Sequence, residues 1–188
     1  MKLPRLAAGD VRLEPLDRRH REPLRAACAE DQTIWDIYSY SMLGDGFDSW
    51  WARAMDPAPA GHFWAVEAGG RLAGCTGIFP DERAPGVVEA GGTYLAPWAR
   101  GTAINRTMKW LLLSWLFDSG FHRVEFRVDG RNLRSQAAVL KLGASRDGVL
   151  RRHKVTHTGF VRDTHVFSIT DLDWPGLEPA LRPDGDHA

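Results

Sequence analysis

The segment Leu95–Asn105 constrains the fold of this chain most, because it ends a strand-like run and opens a long helix at a glycine. A tight turn at a helix N-terminus leaves backbone N–H groups unpaired at the positive end of the helix dipole. Such a turn binds phosphate groups, and Gly101 lacks the Cβ that would hold phosphate oxygens away. The segment therefore predicts a phosphate-bearing cofactor at the start of this helix.

A second polar motif, Asn132–Ser135, follows the next strand-like segment and precedes another helix. The two motifs together indicate a cofactor that lies between two strand ends. A simpler interpretation stays open for both motifs. In it, Gly101 opens a helix that Thr102 caps, and Asn132 and Ser135 serve only as capping residues of the next helix.

The helix predicted over Thr102–Ser119 carries an apolar stripe and ends at Gly120, which suits the C′ position. Alternating apolar and polar residues on either side predict strands over Val87–Leu95 and Arg123–Asp129. A long helix between two strands implies a right-handed crossover and therefore a parallel pair. The stripe consists of Ile104, Met108, Leu111, Leu112, Trp115 and Leu116.

The remaining pattern adds hairpins and short helices, so the predicted fold class is α/β, with a mixed and mostly antiparallel sheet and flanking helices. Gly69–Gly70 joins one hairpin. Gly91–Gly92 predicts a bulge in a strand, or a close fit under an aromatic side chain. Gly44–Gly46 is expected to break the helical pattern. Strands are predicted over Val11–Leu16, His62–Ala68, Arg71–Phe79, Ala144–Thr156 and Phe160–Thr170, and helices over Arg18–Glu30, Phe47–Met55 and Leu133–Leu142.

The composition predicts a single domain over residues 1–174, because a chain of 188 residues suits one sizeable core. Residues 175–188 are rich in Pro, Gly and Asp, and we expect them to form a loose tail. The 24 basic and 24 acidic residues leave no net charge, which argues against a nucleic-acid surface. A homodimer is the expected assembly, since two-fold dimers are the commonest oligomers.

Two further features bear on location. The two cysteines are too few and too far apart for a disulfide framework or a zinc ribbon, so we expect buried thiols in a reducing cytoplasm. We expect no signal peptide, and the apolar run Leu111–Phe117 is too short to cross a membrane. The expected location is therefore cytoplasmic, without a membrane partner.

Several motifs in this order resemble a known family: RGTAIN, KWLLL, RVEFRVDGRNLRS, KLGA, GVLRRH and FVRDTHVFSI, which extend from Glu89 to Ile169. The chain resembles the GNAT superfamily of acetyl-CoA-dependent N-acetyltransferases, and within it the RimJ/RimL-type branch that acetylates ribosomal-protein N-termini. The segment Trp35–Pro59 matches poorly, as acceptor-binding helices of this family usually do. A P-loop is excluded because no Gly-Lys-Ser/Thr follows the turn, and a dinucleotide fold lacks its G-x-G-x-x-G.

The resemblance implies acetyl-CoA as co-substrate, no metal, and direct attack of an amine on the thioester in a ternary complex. The pantetheine arm would lie in a V-shaped gap between two splayed parallel strands and pair with backbone groups near Tyr94 and Leu95. The family pattern Gln/Arg-x-x-Gly-x-Gly/Ala begins here at Trp98, and we expect Arg100 to compensate electrostatically. The pyrophosphate would be bound by Arg100, Gly101, Thr102, Ala103, Ile104 and Asn105.

The chemistry needs a base, because a protonated amine does not attack. At pH 7 an α-amine requires roughly 1.4 kcal/mol to deprotonate and a lysine roughly 4.6 kcal/mol, which favours an N-terminal or another weakly basic amine. The position of Glu89 resembles the glutamate that acts in many of these enzymes through ordered water, and burial would raise its pKa. The alternative is a strand carboxylate that faces solvent.

The leaving thiolate needs a proton or a hydrogen bond. Many members of the superfamily use a tyrosine at the position that Val139 occupies here, so the usual acid is absent. The resemblance implies Ser135 as the substitute, and it implies that Asn132 holds the pantetheine or caps the helix.

Two other functions stay open at this stage. The donor could be succinyl-CoA, for which Arg134 is a candidate contact, or the domain could bind acyl-CoA without catalysis, as Trp98 and the missing tyrosine allow. His153, His157 and His165 do not have zinc-site spacing. The basic run Arg151–Lys154 would face an acidic acceptor, a cofactor phosphate or solvent, and the aromatic residues Trp35, Tyr38, Tyr40, Trp50 and Trp51 could line an acceptor pocket.

Overall fold

The fold, seen in a computed structural model that describes residues 2–56 and 61–183, is built on one mixed sheet. Within those residues the sheet has eight strands in the order β1-β2-β3-β4-β5-β6-β8-β7. Neighbours pair antiparallel except for β5 and β6, which are parallel. The strands are β1 Leu6–Ala8, β2 Val11–Pro15, β3 His62–Ala68, β4 Arg71–Pro80, β5 Val87–Leu95, β6 Arg123–Asp129, β7 Ser145–Val155 and β8 Val161–Thr170.

Helices cover both faces of the sheet. One face packs against α3 and α5, and the other packs against α1, α2 and a 3-10 turn. The predicted α/β class, the mixed sheet and the crossover between two parallel strands are confirmed. The helices are α1 Arg21–Ala29, α2 Gly44–Ala54, α3 Ile104–Asp118, α4 Leu133–Lys141 and α5 Trp174–Leu181, with 3-10 turns at Arg18–His20, Thr33–Ile37 and Pro97–Ala99.

The parallel pair is short. It joins Val87 to Arg123, Val88 to Val124 and Glu89 to Glu125, and after Glu89 the two strands separate. A bulge on β5 lies just beyond this point, where the register against β4 shifts and Gly92 has a φ of 59°. The predicted bulge at the glycine pair is therefore confirmed. The close fit is also real, since a Cβ at Gly92 would lie 3.1 Å from the Phe63 ring.

The helix α2 begins earlier than the sequence indicates. The prediction that Gly44–Gly46 breaks the helix is wrong, because Gly44 is its first residue. Gly46 sits where a Cβ would come within 2.7 Å of the Ser41 carbonyl oxygen, so glycine there permits a close approach instead of ending the helix. Trp50 and Trp51 are both buried, and they join the aromatic cluster under this face of the sheet.

The predicted loose tail is wrong for residues 175–181, which belong to α5. Trp174 is 8% exposed and stacks on Phe117 of α3 with ring centroids 5.3 Å apart. The Trp110 indole N–H donates to Glu178 at 2.7 Å. The prolines misled the prediction, because Pro175 lies in the first helical turn, where a missing N–H costs nothing. The remainder of the predicted tail, residues 184–188, lies outside the described residues.

We expect Trp174→Ala to lower the free energy of unfolding by about 3 kcal/mol, since it removes a buried aromatic side chain from the contact between α3 and α5. Urea denaturation measures the change. Leu172→Ala is the matched control, because Leu172 is 88% exposed and its truncation should cost less than about 0.5 kcal/mol. Equal effects of the two substitutions would show that α5 does not pack as described.

Candidate active site

A cavity of about 530 Å³ opens where β5 and β6 separate. The two strands form its sides, the beginnings of α3 and α4 lie at one end, and the segment 34–40 contributes the wall on the opposite face. The cavity thus brings together the two polar motifs that the sequence placed at neighbouring strand ends. Of the predicted site residues, it is lined by Glu89, Leu95, Arg100, Gly101, Asn105, Asn132 and Ser135.

The turn before α3 presents open backbone N–H groups. Ala103 is the N-cap and has no side-chain capping bond, and Gly101 adopts a φ of 74° with nothing within 4 Å of its Cβ position. Among the described residues, Thr107 is the first in the helix whose N–H reaches a backbone carbonyl, that of Ala103 at 3.0 Å. The start of α3 therefore has the donors and the open space that a phosphate group needs.

Two side chains predicted at this turn have other partners. The Thr102 hydroxyl donates to the Ala99 carbonyl at 2.8 Å, so it stabilises the turn locally. The Arg100 guanidinium donates to the Leu95 carbonyl at 2.7 Å and pairs with Asp31 at 2.5 Å. The expected electrostatic compensation by Arg100 stays a prediction: the guanidinium lines the cavity, and the end of β5 and Asp31 already bind two of its nitrogens.

Trp98, the position where the family pattern has a polar side chain, packs against the apolar clusters instead. The Arg71 guanidinium lies over its ring at 4.5 Å. The dipole of α3 and the open backbone N–H groups are the features of this turn that attract an anion independently of Trp98.

The side chain of Tyr94 points away from the cavity. Its hydroxyl donates to the Ala27 carbonyl at 2.6 Å, and its ring stacks on Trp35 at 4.9 Å. The backbone of this stretch pairs with β4 on one edge and has lost β6 on the other. An extended ligand could therefore add to the free edge near Tyr94 and Leu95 as another strand would.

Glu89 occupies the last paired position of β5, at the apex of the split. Its side chain is 24% exposed, and Arg127 lies 3.7 Å from its carboxylate. Burial raises the pKa of the Glu89 carboxyl above its usual range, and the positive charges of Lys154 and Arg127 oppose this shift. The carboxylate is thus largely enclosed within the cavity, which disfavours the alternative of a solvent-facing strand residue.

At the other motif, capping and cavity lining coincide. Asn132 Oδ1 accepts from the Ser135 N–H at 3.0 Å and caps α4. Both residues also line the cavity, and so does Val139, the position at which the resemblance leads us to expect a tyrosine. The capping interpretation is therefore correct for Asn132, and it leaves its amide nitrogen available to a ligand.

Lys109 is a cavity residue that the sequence analysis missed. Its ammonium donates to the Thr93 hydroxyl at 3.0 Å and lies 5.7 Å from the Phe126 ring, between the two separated strands. Burial lowers the pKa of Lys109 to about 8. The sequence does contain a signal for Lys109. This residue follows Asn105 by four positions, so the two lie on the same side of a helix that is otherwise apolar there.

Each of the three histidines of the last hairpin has a different hydrogen-bond partner. His153 hydrogen-bonds with Thr164, His157 with the Trp35 carbonyl at 2.8 Å, and His165 with Gln136.

Across the part of the chain that the structure describes, no group of histidine, cysteine or acidic residues could hold a metal ion. Cys28 and Cys75 are free and buried, as predicted. No described helix is long and apolar enough to cross a membrane.

Comparison with known proteins identifies the family. The model of the acetyltransferase (GNAT) family matches residues 24–144. The chain therefore belongs to the acetyltransferase (GNAT) family. A search of curated proteins gives no match.

Solved structures share both the fold and part of the sequence. A probable acetyltransferase of the GNAT family from Chromobacterium violaceum is 31% identical, with a TM-score of 0.85 over 93% of this chain and 91% of that one. A GCN5-related N-acetyltransferase from Brucella melitensis is 26% identical, with a TM-score of 0.88 over 100% of this chain and 90% of that one. RimJ of Mycobacterium smegmatis in complex with CoA-disulfide is 21% identical, with a TM-score of 0.77 over 94% and 90%. This last likeness shows the fold alone.

We expect Lys109→Met to stabilise the free protein at pH 7 by about 1–3 kcal/mol, because it removes a buried charge. The folded-state pKa lies below that of an unfolded lysine, so the penalty is full below about pH 8 and disappears as pH rises from there towards 10.4. Urea denaturation of both proteins at pH 7 and pH 10 measures the difference, which should shrink at pH 10.

Lys141→Met is the control for this comparison, since Lys141 is exposed on α4 and its removal should change the free energy of unfolding little at either pH. A stability difference for Lys109→Met that is the same at both pH values would contradict a depressed pKa at this position.

Proposed function

We propose that this protein is an N-acetyltransferase that moves the acetyl group of acetyl-CoA to a primary amine by direct attack in a ternary complex. The observation that carries the proposal is the split between β5 and β6. It opens a single cavity that contains the N-terminus of α3, a free strand edge and the enclosed carboxylate of Glu89. Each of these elements matches one part of the reaction: diphosphate, pantetheine arm and amine.

In the proposed complex, the segment Arg100–Asn105 binds the diphosphate through the N–H groups of Gly101, Thr102, Ala103 and Asn105, since the N–H groups of Arg100 and Ile104 already bond to Pro97 and Thr102. The edge near Tyr94 and Leu95 binds the pantetheine amides. Asn132 contributes its amide nitrogen from the start of α4. Acetyl-CoA supplies an acyl carbon activated as a thioester. The amine nitrogen attacks this carbon, the C–N bond forms, the C–S bond breaks and the sulfur leaves as a thiolate.

Glu89 takes the proton that the amine must lose, directly or through a water molecule. A carboxylate with a raised pKa is a stronger base than an ordinary glutamate. Ser135 stabilises the departing thiolate by donating a hydrogen bond. It takes the role of the tyrosine that the resemblance leads us to expect at the position of Val139. In this proposal the segments Leu95–Asn105 and Asn132–Ser135 both take part in the same reaction.

The finer identity is proposed as RimJ/RimL-type, with a protein N-terminus or a small molecule as the amine. The lower cost of deprotonating an α-amine supports this choice over a lysine side chain. Arg134 lines the cavity, and its positive charge could pair with a second carboxylate on the donor. Succinyl-CoA is therefore the alternative donor. A cytoplasmic location fits the two free thiols, and a homodimer remains the proposed assembly.

We expect Glu89→Gln to lower kcat/KM for acetyl transfer by about 100-fold, the usual contribution of a general base. Release of free CoA thiol from acetyl-CoA, with a panel of amines and N-terminal peptides, measures the rate. The ratio of wild-type to variant activity should fall as pH falls through the raised pKa of Glu89, because the protonated carboxyl no longer acts as a base. Ionisation of the amine cancels in this ratio.

The affinity for acetyl-CoA, measured by calorimetry, should be the same in both proteins. Unchanged turnover in Glu89→Gln would remove the assignment of this base. If acetyl-CoA binds and no amine in the panel is acetylated by the wild type, a non-catalytic acyl-CoA-binding domain replaces the proposal.

A further inference from the structure

Charged side chains from four strands lie on one face of the sheet around the split. Phe126 packs against the α3 side, so Arg127, its neighbour on β6, faces the other way. Arg162 shares this second face, because Thr164, two residues along β8, is opposite Asp129 of β6. The charged residues are Glu89, Arg127, Lys154 and Arg162, and all four line the cavity.

Arg162 is buried, and among the described residues it has no hydrogen bond or close ion pair, although the carboxylates of Asp129 and Glu89 act on its charge from a greater distance. It is 7% exposed, and its Nε is a buried donor with no hydrogen-bond partner. The carboxylate that could pair with it, Asp129, is held by Arg131 through bonds of 2.8 and 3.0 Å. A guanidinium is always charged, and leaving it buried and unpaired is costly. The cavity beside Arg162 is therefore built for an anion.

Lys154 adds a second cation at the same place. It is the cross-strand neighbour of Arg162 in the pairing of β7 with β8. Within the described residues it forms no ion pair at close range, although its charge acts on the Glu89 carboxyl. Arg127 differs, since its guanidinium bonds to Glu125 at 2.9 Å. Arg162 and Lys154 are thus the two cations that a ligand can use.

The position of these cations decides which ligand they fit. They lie on the face that carries Glu89, whereas the diphosphate site lies at the start of α3, which packs on the opposite face. A group held by Arg162 and Lys154 would therefore belong to the molecule that presents its amine to Glu89. Within the basic run Arg151–Lys154, Lys154 is the member that lines this cavity. It is therefore the residue of the run that we expect to contact a ligand there.

We propose that the acceptor is an amine that carries its own anionic group, a carboxylate or a phosphate, which Arg162 and Lys154 bind while the amine faces Glu89. This inference rests on the proposed acetyl transfer and names the substrate class for the same site. The carboxylate of a free amino acid and the phosphate of a phosphorylated amine share the required chemistry. An amine without a negative charge would leave Arg162 buried and unpaired in the complex.

The test compares amines in matched pairs with acetyl-CoA, using release of CoA thiol as the signal. Free amino acids are paired with their amides, and phosphoethanolamine is paired with ethanolamine, so the two arms separate carboxylate from phosphate. We expect kcat/KM to be at least about tenfold higher for the anionic member of the preferred pair, the effect of one charge-assisted hydrogen bond. Arg162→Gln should remove this preference mainly by raising KM.

Three further variants and one binding measurement keep the result interpretable. Arg151→Gln removes an exposed cation from the same hairpin outside this cavity and should leave the preference intact. Lys154→Gln is the second test variant in case Arg162→Gln does not fold, and Arg162→Lys should restore part of the preference. Calorimetry with acetyl-CoA should give the same affinity for all variants.

Several outcomes would overturn the inference. They are equal activity on both members of every pair, equal loss on both members in Arg162→Gln, and acetylation of neutral amines or peptides alone. A weaker affinity of Arg162→Gln for acetyl-CoA would assign the cations to the cofactor instead. If acetyl-CoA binds and no anionic amine is acetylated, the inference fails while the cofactor site stands, whereas a complete lack of acetyl-CoA binding removes the proposed function itself.

Discussion

The separation of β5 from β6 after Glu89 is the feature on which the rest of this structure depends. A strand edge inside a sheet normally has all its backbone groups paired, and leaving them unpaired is unfavourable unless a ligand or water takes their place. Here the gap is maintained by the bulge at Gly92 on one side and by the continued pairing of β6 with β8 on the other. The gap between the two strands is therefore set by the backbone of the sheet.

The gap also separates two chemical environments. On the side of α3 and α4, open helix termini and the buried ammonium of Lys109 face the space between the strands. On the opposite side, the carboxylate of Glu89 lies among cations and beneath the segment 34–40. A donor and an acceptor that enter from opposite faces would meet at the apex of the split. Helix α5 packs on α3 and so supports the helix that follows the Gly101 turn.

Much of the fold was predictable because the elements of this sheet have strong local signals. The alternation in Arg123–Asp129 and the stripe of α3 follow directly from burial on one face. What could not be predicted depends on contacts between distant segments. Arg100 bonds to Asp31, α5 is held by Trp174 on Phe117, and neither contact has a local pattern. That Arg162 lacks a hydrogen-bond partner at Nε also becomes visible only in the assembled sheet. The sequence does not show that Asp129 bonds to Arg131 instead of to Arg162.

The central claim is that the backbone at the start of α3 binds the diphosphate of coenzyme A. Calorimetric titration of the protein with CoA and, separately, with pantetheine, which lacks the diphosphate and nucleotide, tests this most directly. We expect CoA to bind at least about 100-fold more tightly than pantetheine, because several charge-assisted hydrogen bonds are lost with the phosphates. Equal affinities for the two ligands, or no binding of CoA to the folded protein, would contradict it.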